Sequence, residues 1–157
     1  MASPITILLI EDNAPDVFLV LRFLNSRPDF AVEEVHRLSS GLARLSHGGI
    51  DVVLLDLGLP DSYGLDTLTQ VLGFAPRMPV IVLTGLEDER AGAKAIEMGA
   101  RDYLLKGAID SDRLIAAILK SARPAAGAQP LDERPSGGTA RDDGQRPPAD
   151  MGQRSRT

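Results

Sequence analysis

A chain of 157 residues has room for one domain with a single core of ordinary size. It contains no cysteine, which excludes a disulfide framework, a thiolate metal site and a cysteine nucleophile, and which fits a reducing compartment such as the cytoplasm. The formal net charge is -5 and no dense stripe of Lys or Arg occurs, so direct binding to nucleic-acid phosphates is not expected.

The start, Met1-Ala2-Ser3-Pro4, lacks a basic leader region. The first apolar run, Ile5 to Ile10, is stopped by Glu11-Asp12, far short of a membrane span or a signal core. A soluble, cytoplasmic protein without a membrane partner is expected. The run is continuous rather than alternating, as in a strand covered on both faces of a parallel sheet. Beyond Pro15, Val17, Val20, Leu21 and Leu24 recur at helical spacing until Asn25-Ser26-Arg27-Pro28 ends the pattern. Phe30 to Val35 is a more polar strand suited to a sheet edge, and Ser39 to His47 a short helix closed by Gly48-Gly49.

Asp51-Val-Val-Leu-Leu-Asp56 is a third strand, apolar until it ends in a carboxylate, and a loop carrying Pro60 and Gly64 follows. A helix from about Leu65 to Phe74 leads to Val80-Ile81-Val82-Leu83, which finishes at Thr84-Gly85. Glu87 to Met98 reads as a helix closed at Gly99, Asp102 to Leu105 as a short strand finishing at Lys106-Gly107, and Ser111 to Ala122 as the last helix. From Pro124 the composition shifts to Pro, Gly, Asp, Arg and Gln, with Leu131 and Met151 the only large apolar residues. Residues 1–123 are therefore expected to form the domain and 124–157 a disordered tail or linker, too polar to offset the entropy of ordering.

Strand–helix units joined by right-handed crossovers predict an α/β fold, a doubly wound five-stranded parallel sheet whose ligands gather at the strands' carboxyl ends. That edge collects Glu11, Asp12, Asp56, Thr84 and Lys106. Each has a bland reading alone: Asp56 caps the next turn, Thr84 caps the next helix, Lys106 is solvated. Their joint placement favours chemistry. Crowded carboxylates raise one another's pKa unless a cation offsets them, and an all-oxygen site with few protein ligands suits Mg2+. A hydroxyl and a mobile ammonium are what the equatorial oxygens of a phosphoryl group require, so phosphoryl transfer is the expected chemistry.

Over roughly Ile5 to Ala122 the pattern resembles the receiver (CheY-like) domain of two-component response regulators. The resemblance rests on Glu11-Asp12 after the first strand, Asp56-Leu57-Gly58-Leu59-Pro60-Asp61 at the end of the third, Thr84-Gly85 after the fourth, and Tyr103-Leu104-Leu105-Lys106 in the fifth. It implies a flavodoxin-like (βα)5 fold with strand order 2-1-3-4-5. It implies further that Asp56 accepts a phosphoryl group from a phosphohistidine on a sensor histidine kinase or a histidine phosphotransfer protein. Asp12, Asp56 and the Gly58 carbonyl would coordinate Mg2+, with Glu11 assisting through water, and Thr84 and Lys106 would bind the phosphoryl oxygens. Thr84, drawn toward phosphorylated Asp56, would vacate space into which Tyr103 rotates. Such a protein is a switch, not a turnover enzyme, and its output is a remade docking face for a protein target or a phosphorylation-dependent dimer.

Gly107 stands where the family usually has Pro, so a cis peptide is not expected there. Gly58 and Leu86, two residues after Asp56 and Thr84, offer no polar side chain to orient a hydrolytic water, and the acidic pair is Glu-Asp rather than Asp-Asp. A phosphorylation-independent docking or dimerisation module of the same fold is the second reading; intact Asp56, Thr84 and Lys106 argue against it. An aspartyl phosphohydrolase is disfavoured because Gly58 occupies the place of its second acid. His36 and His47 are expected on loops or helix ends far from the Asp56 edge.

Overall fold

Each unbroken apolar run forms a strand in the computed structural model, which describes residues 3–85 and 89–122. The expected tail over 124–157, Leu86 and the expected helix start at Glu87 lie outside the described residues. In chain order the elements are β1 (Ile5–Ile10), α1 (Ala14–Leu24), β2 (Phe30–Val35), α2 (Leu38–Leu45), β3 (Val52–Asp56), β4 (Gly58–Leu59) and β5 (Ser62–Tyr63). They continue with α3 (Leu65–Phe74), β6 (Val80–Thr84), α4 (Glu89–Met98), β7 (Asp102–Leu105) and α5 (Ser111–Ala122).

Five of these strands pair in parallel in the order β2-β1-β3-β6-β7. Counted within the sheet alone, this is the expected 2-1-3-4-5. Every residue of β3 and β6 is buried, as their Val- and Leu-rich runs require, whereas β2 carries Glu33 and Glu34 and is only partly buried at the edge. Successive side chains of the central strands alternate between two cores. Leu8, Ile10, Val53, Leu55, Val80 and Val82 pack with Leu38, Leu45, Leu68, Val71 and Ala95 from α2, α3 and α4. Ile7, Leu9, Val52, Leu54, Ile81 and Leu83 pack with Val17, Val20, Leu24, Leu114, Ala117 and Ile118 from α1 and α5. Helices thus cover both faces, and the carboxyl ends of all five strands meet at one edge.

Helix starts show how that edge is assembled. Asn13 caps α1, its side chain accepting from the Asp16 N–H at 3.0 Å, and Pro15 occupies the first turn. α2 has no cap of its own, since Arg37 supplies no side-chain bond. Asp61 supplies it from a distant part of the chain, accepting from the N–H groups of Leu38 at 2.8 Å and Ser39 at 2.9 Å.

Patterning predicts an irregular loop after Asp56, and here the structure differs. Gly58–Leu59 and Ser62–Tyr63 pair antiparallel as a small hairpin turned at Pro60-Asp61. Two-residue strands are too short to show a period, so the pairing leaves no trace in the sequence. Leu57 and Leu59, both buried in the core, pin one side, and a 2.7 Å contact between the Ser62 and Thr67 hydroxyls ties the other to α3. The second helix also differs at its ends, running Leu38–Leu45 rather than Ser39 to His47, while α1 begins at Ala14 with Pro15 in its first turn as expected.

Candidate functional site

Parallel strands deliver their last residues to one edge, and the chain places polar groups there. Asp56 closes β3 and Thr84 closes β6; Glu11 and Asp12 follow β1, and Lys106 follows β7. Register holds the ends level: the Glu11 N–H donates to the Val35 carbonyl at 3.0 Å, and the Lys106 N–H to the Thr84 carbonyl at 2.9 Å. Glu11, Asp56 and Thr84 are buried, while Asp12 is exposed. The five residues expected from the sequence are therefore brought together.

One carboxylate oxygen from each of Glu11, Asp12 and Asp56 lies within 4.8 Å of the others. These are hard oxygen donors carrying three formal charges, a set that suits Mg2+ with part of its water shell retained. Lys106 already offsets part of the charge. Its Nζ stands 2.9 Å from Glu11 Oε1, 2.9 Å from Asp56 Oδ1 and 2.9 Å from Asp16 Oδ2. Only the Asp16 contact has hydrogen-bond geometry; the other two are ion pairs, and Glu11 Oε1 has no directed donor.

Burial pushes the Glu11 carboxyl up to about 7; the Lys106 ammonium draws it down and the Asp56 charge pushes it further up. Burial would lower Lys106, but Glu11, Asp56 and Asp16 outweigh it and hold the ammonium above the usual lysine range. The lysine is thus a fixed positive charge at this edge.

The second oxygen of Asp56 lies on the Gly58 side of the carboxylate. A recess of about 330 Å³ is lined by Asp56, Gly58, Tyr63, Thr84 and Gly85 among others. A Cβ at Gly58 would stand 3.9 Å from Asp56 Oδ2 and 3.7 Å from the Tyr63 ring, so any side chain there would enter the recess. Among the described residues, Thr84 Oγ1 makes only a long 3.4 Å bond to the neighbouring Gly85 carbonyl, which leaves the hydroxyl available. Tyr103 is half-buried, and its ring rests on Gly92 of α4, where a Cβ would overlap it.

Two residues at this edge escaped the sequence reading. Asp16 looks like an ordinary first-turn acid of a helix, and only the approach of the β7 end to α1 shows that it holds Lys106. Tyr63, 83% exposed, reaches the recess only because the hairpin folds back over Gly58. One expectation is corrected. His36 directly follows β2, so in a parallel sheet it stands on the same edge as Asp56 rather than far from it, although its ring pairs with Glu34 at 3.0 Å. His47 lies just beyond α2 against the Ala43 carbonyl. No cis peptide occurs among the described residues, in line with Gly107.

A doubly wound sheet with this acid, hydroxyl and lysine constellation defines a receiver. Residues 7–119 match the response regulator receiver domain family, and the chain belongs to that family. Among curated proteins it is 33% identical over 134 residues to the transcriptional regulatory protein KdpE of Mycobacterium tuberculosis, covering 83% of this chain and 59% of the relative. It is 30% identical over 115 residues to the acid tolerance regulatory protein ActR of Rhizobium meliloti, covering 73% of this chain and 58% of the relative. The chain thus spans under three fifths of the length of either relative. Among solved structures, a response regulator receiver domain protein from Clostridium thermocellum superposes with a TM-score of 0.68 at 28% identity, covering 75% of this chain and 94% of that one. Full-length FixJ from B. japonicum gives 0.70 at 26% identity, covering 81% and 63%. This is the signalling fold of two-component response regulators. Among the described residues no helix is long and apolar enough to cross a membrane.

Proposed function

We propose that this chain is a phosphoacceptor receiver in which Asp56 takes a phosphoryl group from a phosphohistidine of a sensor histidine kinase or histidine phosphotransfer protein. The observation that carries the reading is the division of the Asp56 carboxylate: Oδ1 is ion-paired with Lys106, while Oδ2 lies toward Gly58, which lines a recess together with Asp56 and Thr84. A carboxylate held on one oxygen and free on the other is an oriented nucleophile.

In the proposed reaction Oδ2 attacks phosphorus, the O–P bond forms, and the electron pair of the breaking P–N bond returns to the donor imidazole. The available Thr84 hydroxyl and the Lys106 ammonium then receive the phosphoryl oxygens. Glu11, Asp12 and Asp56, with the Gly58 carbonyl beside them, would hold Mg2+, which when bound supplies the remaining charge neutralisation. A pull on Thr84 frees space toward β7, and Tyr103 leaves its seat on Gly92. The reading is thus a cytoplasmic switch that turns over no substrate, with a protein target or a second copy as its readout. Gly58 contributes no water-orienting side chain, so loss of the phosphoryl group depends on solvent access through the recess or on a separate phosphatase.

Treatment with acetyl phosphate and Mg2+, followed by intact mass measurement, tests this. One phosphoryl group is expected on the wild type and none on Asp56→Asn. An equal gain on both would sink the assignment, and no gain on either would favour a phosphorylation-independent docking module.

A further inference from the structure

Lys106 is held by one more carboxylate than phosphoryl acceptance uses. Asp16 Oδ2 and the ammonium form the directed bond of the cluster, while Glu11 and Asp56 stand at the same 2.9 Å as ion pairs. A lysine is a point charge on a flexible four-carbon stem, and at 23% exposure its chain is not immobilised by packing alone. What fixes the ammonium is its position between elements: Glu11 pulls from the end of β1, Asp56 from the end of β3, and Asp16 from the first turn of α1. Asp16 is itself fixed, because its N–H donates to the Asn13 side chain at 3.0 Å.

Asp16 lies apart from the acceptor recess. It lines a crevice with Glu11, Lys106, Leu83 and Ile109 among others, whereas Asp56, Gly58 and Thr84 line the recess itself. It therefore acts on the reacting atoms only through Lys106. Without it, the ammonium would be drawn toward Glu11, whose Oε1 has no directed donor, and Asp56 Oδ1 would lose its fixed partner.

We infer that Asp16 is a positioning residue for phosphoryl acceptance: it anchors Lys106 across Asp56 Oδ1, so that Oδ2 is the oxygen presented to the incoming phosphorus. The inference rests on the phosphoacceptor reading of Asp56. The competing role is an ordinary first-turn acid that favours the helix dipole, which would affect stability and leave the rate per folded molecule unchanged.

The test compares labelling rates with acetyl phosphate at saturating Mg2+ for the wild type, Asp16→Asn and Asp16→Glu, with thermal melts to normalise for folded protein. Asp16→Asn is expected to label about tenfold more slowly, the usual scale for losing a hydrogen bond to a charged group. Asp16→Glu is expected to recover most of that rate. In a Lys106→Ala background, followed over longer times, Asp16→Asn should change the residual rate by less than about twofold, since the coupled partner is gone. A normal rate in folded Asp16→Asn, or the same tenfold loss without Lys106, would overturn the inference while leaving Asp56 as acceptor. A wild type that does not label at Asp56 would overturn the acceptor reading and this inference together.

Discussion

Single carboxylates at this edge do different work according to what surrounds them. Glu11 is buried and raised, Asp12 is exposed, and Asp61 is exposed yet held below the usual carboxylate range. The Asp61 shift comes first from the Ser39 N–H, against a smaller burial effect, and then from the Leu38 N–H. A carboxyl group whose folded pKa lies below its unfolded value stabilises above the unfolded value, near pH 3.9, and loses that contribution as pH falls through the folded value. Asp61→Ala is therefore expected to cost about 1 kcal/mol at neutral pH, the scale of a lost helix cap. Urea unfolding should show the gap closing as pH falls below the usual carboxylate range and Asp61 protonates in the folded state. A cost independent of pH would show that the charge is not what caps α2. Because Asp61 sits at the turn of the hairpin that carries Gly58, the same bond fastens one wall of the recess to α2.

At the scale of elements, α4 and β7 meet through one ring and one glycine. A glycine inside a helix reads from sequence as a weak point, and its replacement by alanine ordinarily stabilises by about 1 kcal/mol. Gly92 is different because the Tyr103 ring occupies the space its side chain would need. Gly92→Ala is therefore expected to destabilise the wild type by about 1–3 kcal/mol through overpacking. In a Tyr103→Ala background the same change should revert to the ordinary helix gain of about 1 kcal/mol. Urea unfolding of the four proteins measures both signs, and stabilisation in both backgrounds would show that the ring does not depend on this seat. Under the proposed switch, this notch is the resting place that Tyr103 leaves.

For the molecule as a whole, the two hydrophobic clusters of the described residues lie between Ile5 and Ala122, and the sequence from Pro124 onward offers only Leu131 and Met151 as large apolar residues. A chain cut after Arg123 is accordingly expected to keep the urea midpoint and slope of the full chain, and its labelling at Asp56. A lower midpoint or a smaller slope would show that later residues share the core. The fold was legible because β1, β3 and β6 are buried on both faces, and burial on both faces demands continuous apolar runs. The acids, the hydroxyl and the lysine were legible because a parallel sheet sends every strand's last residue to one edge. Local sequence therefore determined the five strands of the main sheet and the set Glu11, Asp12, Asp56, Thr84 and Lys106, while the strand order followed from the family resemblance and the β4–β5 hairpin from neither. Only the tertiary structure decided who holds whom: Asp16 on Lys106, Asp61 on α2, Tyr63 over Gly58 and Tyr103 on Gly92. Each of these contacts joins groups from different elements, and neither helical nor strand periodicity carries information about which neighbour a side chain meets across the fold.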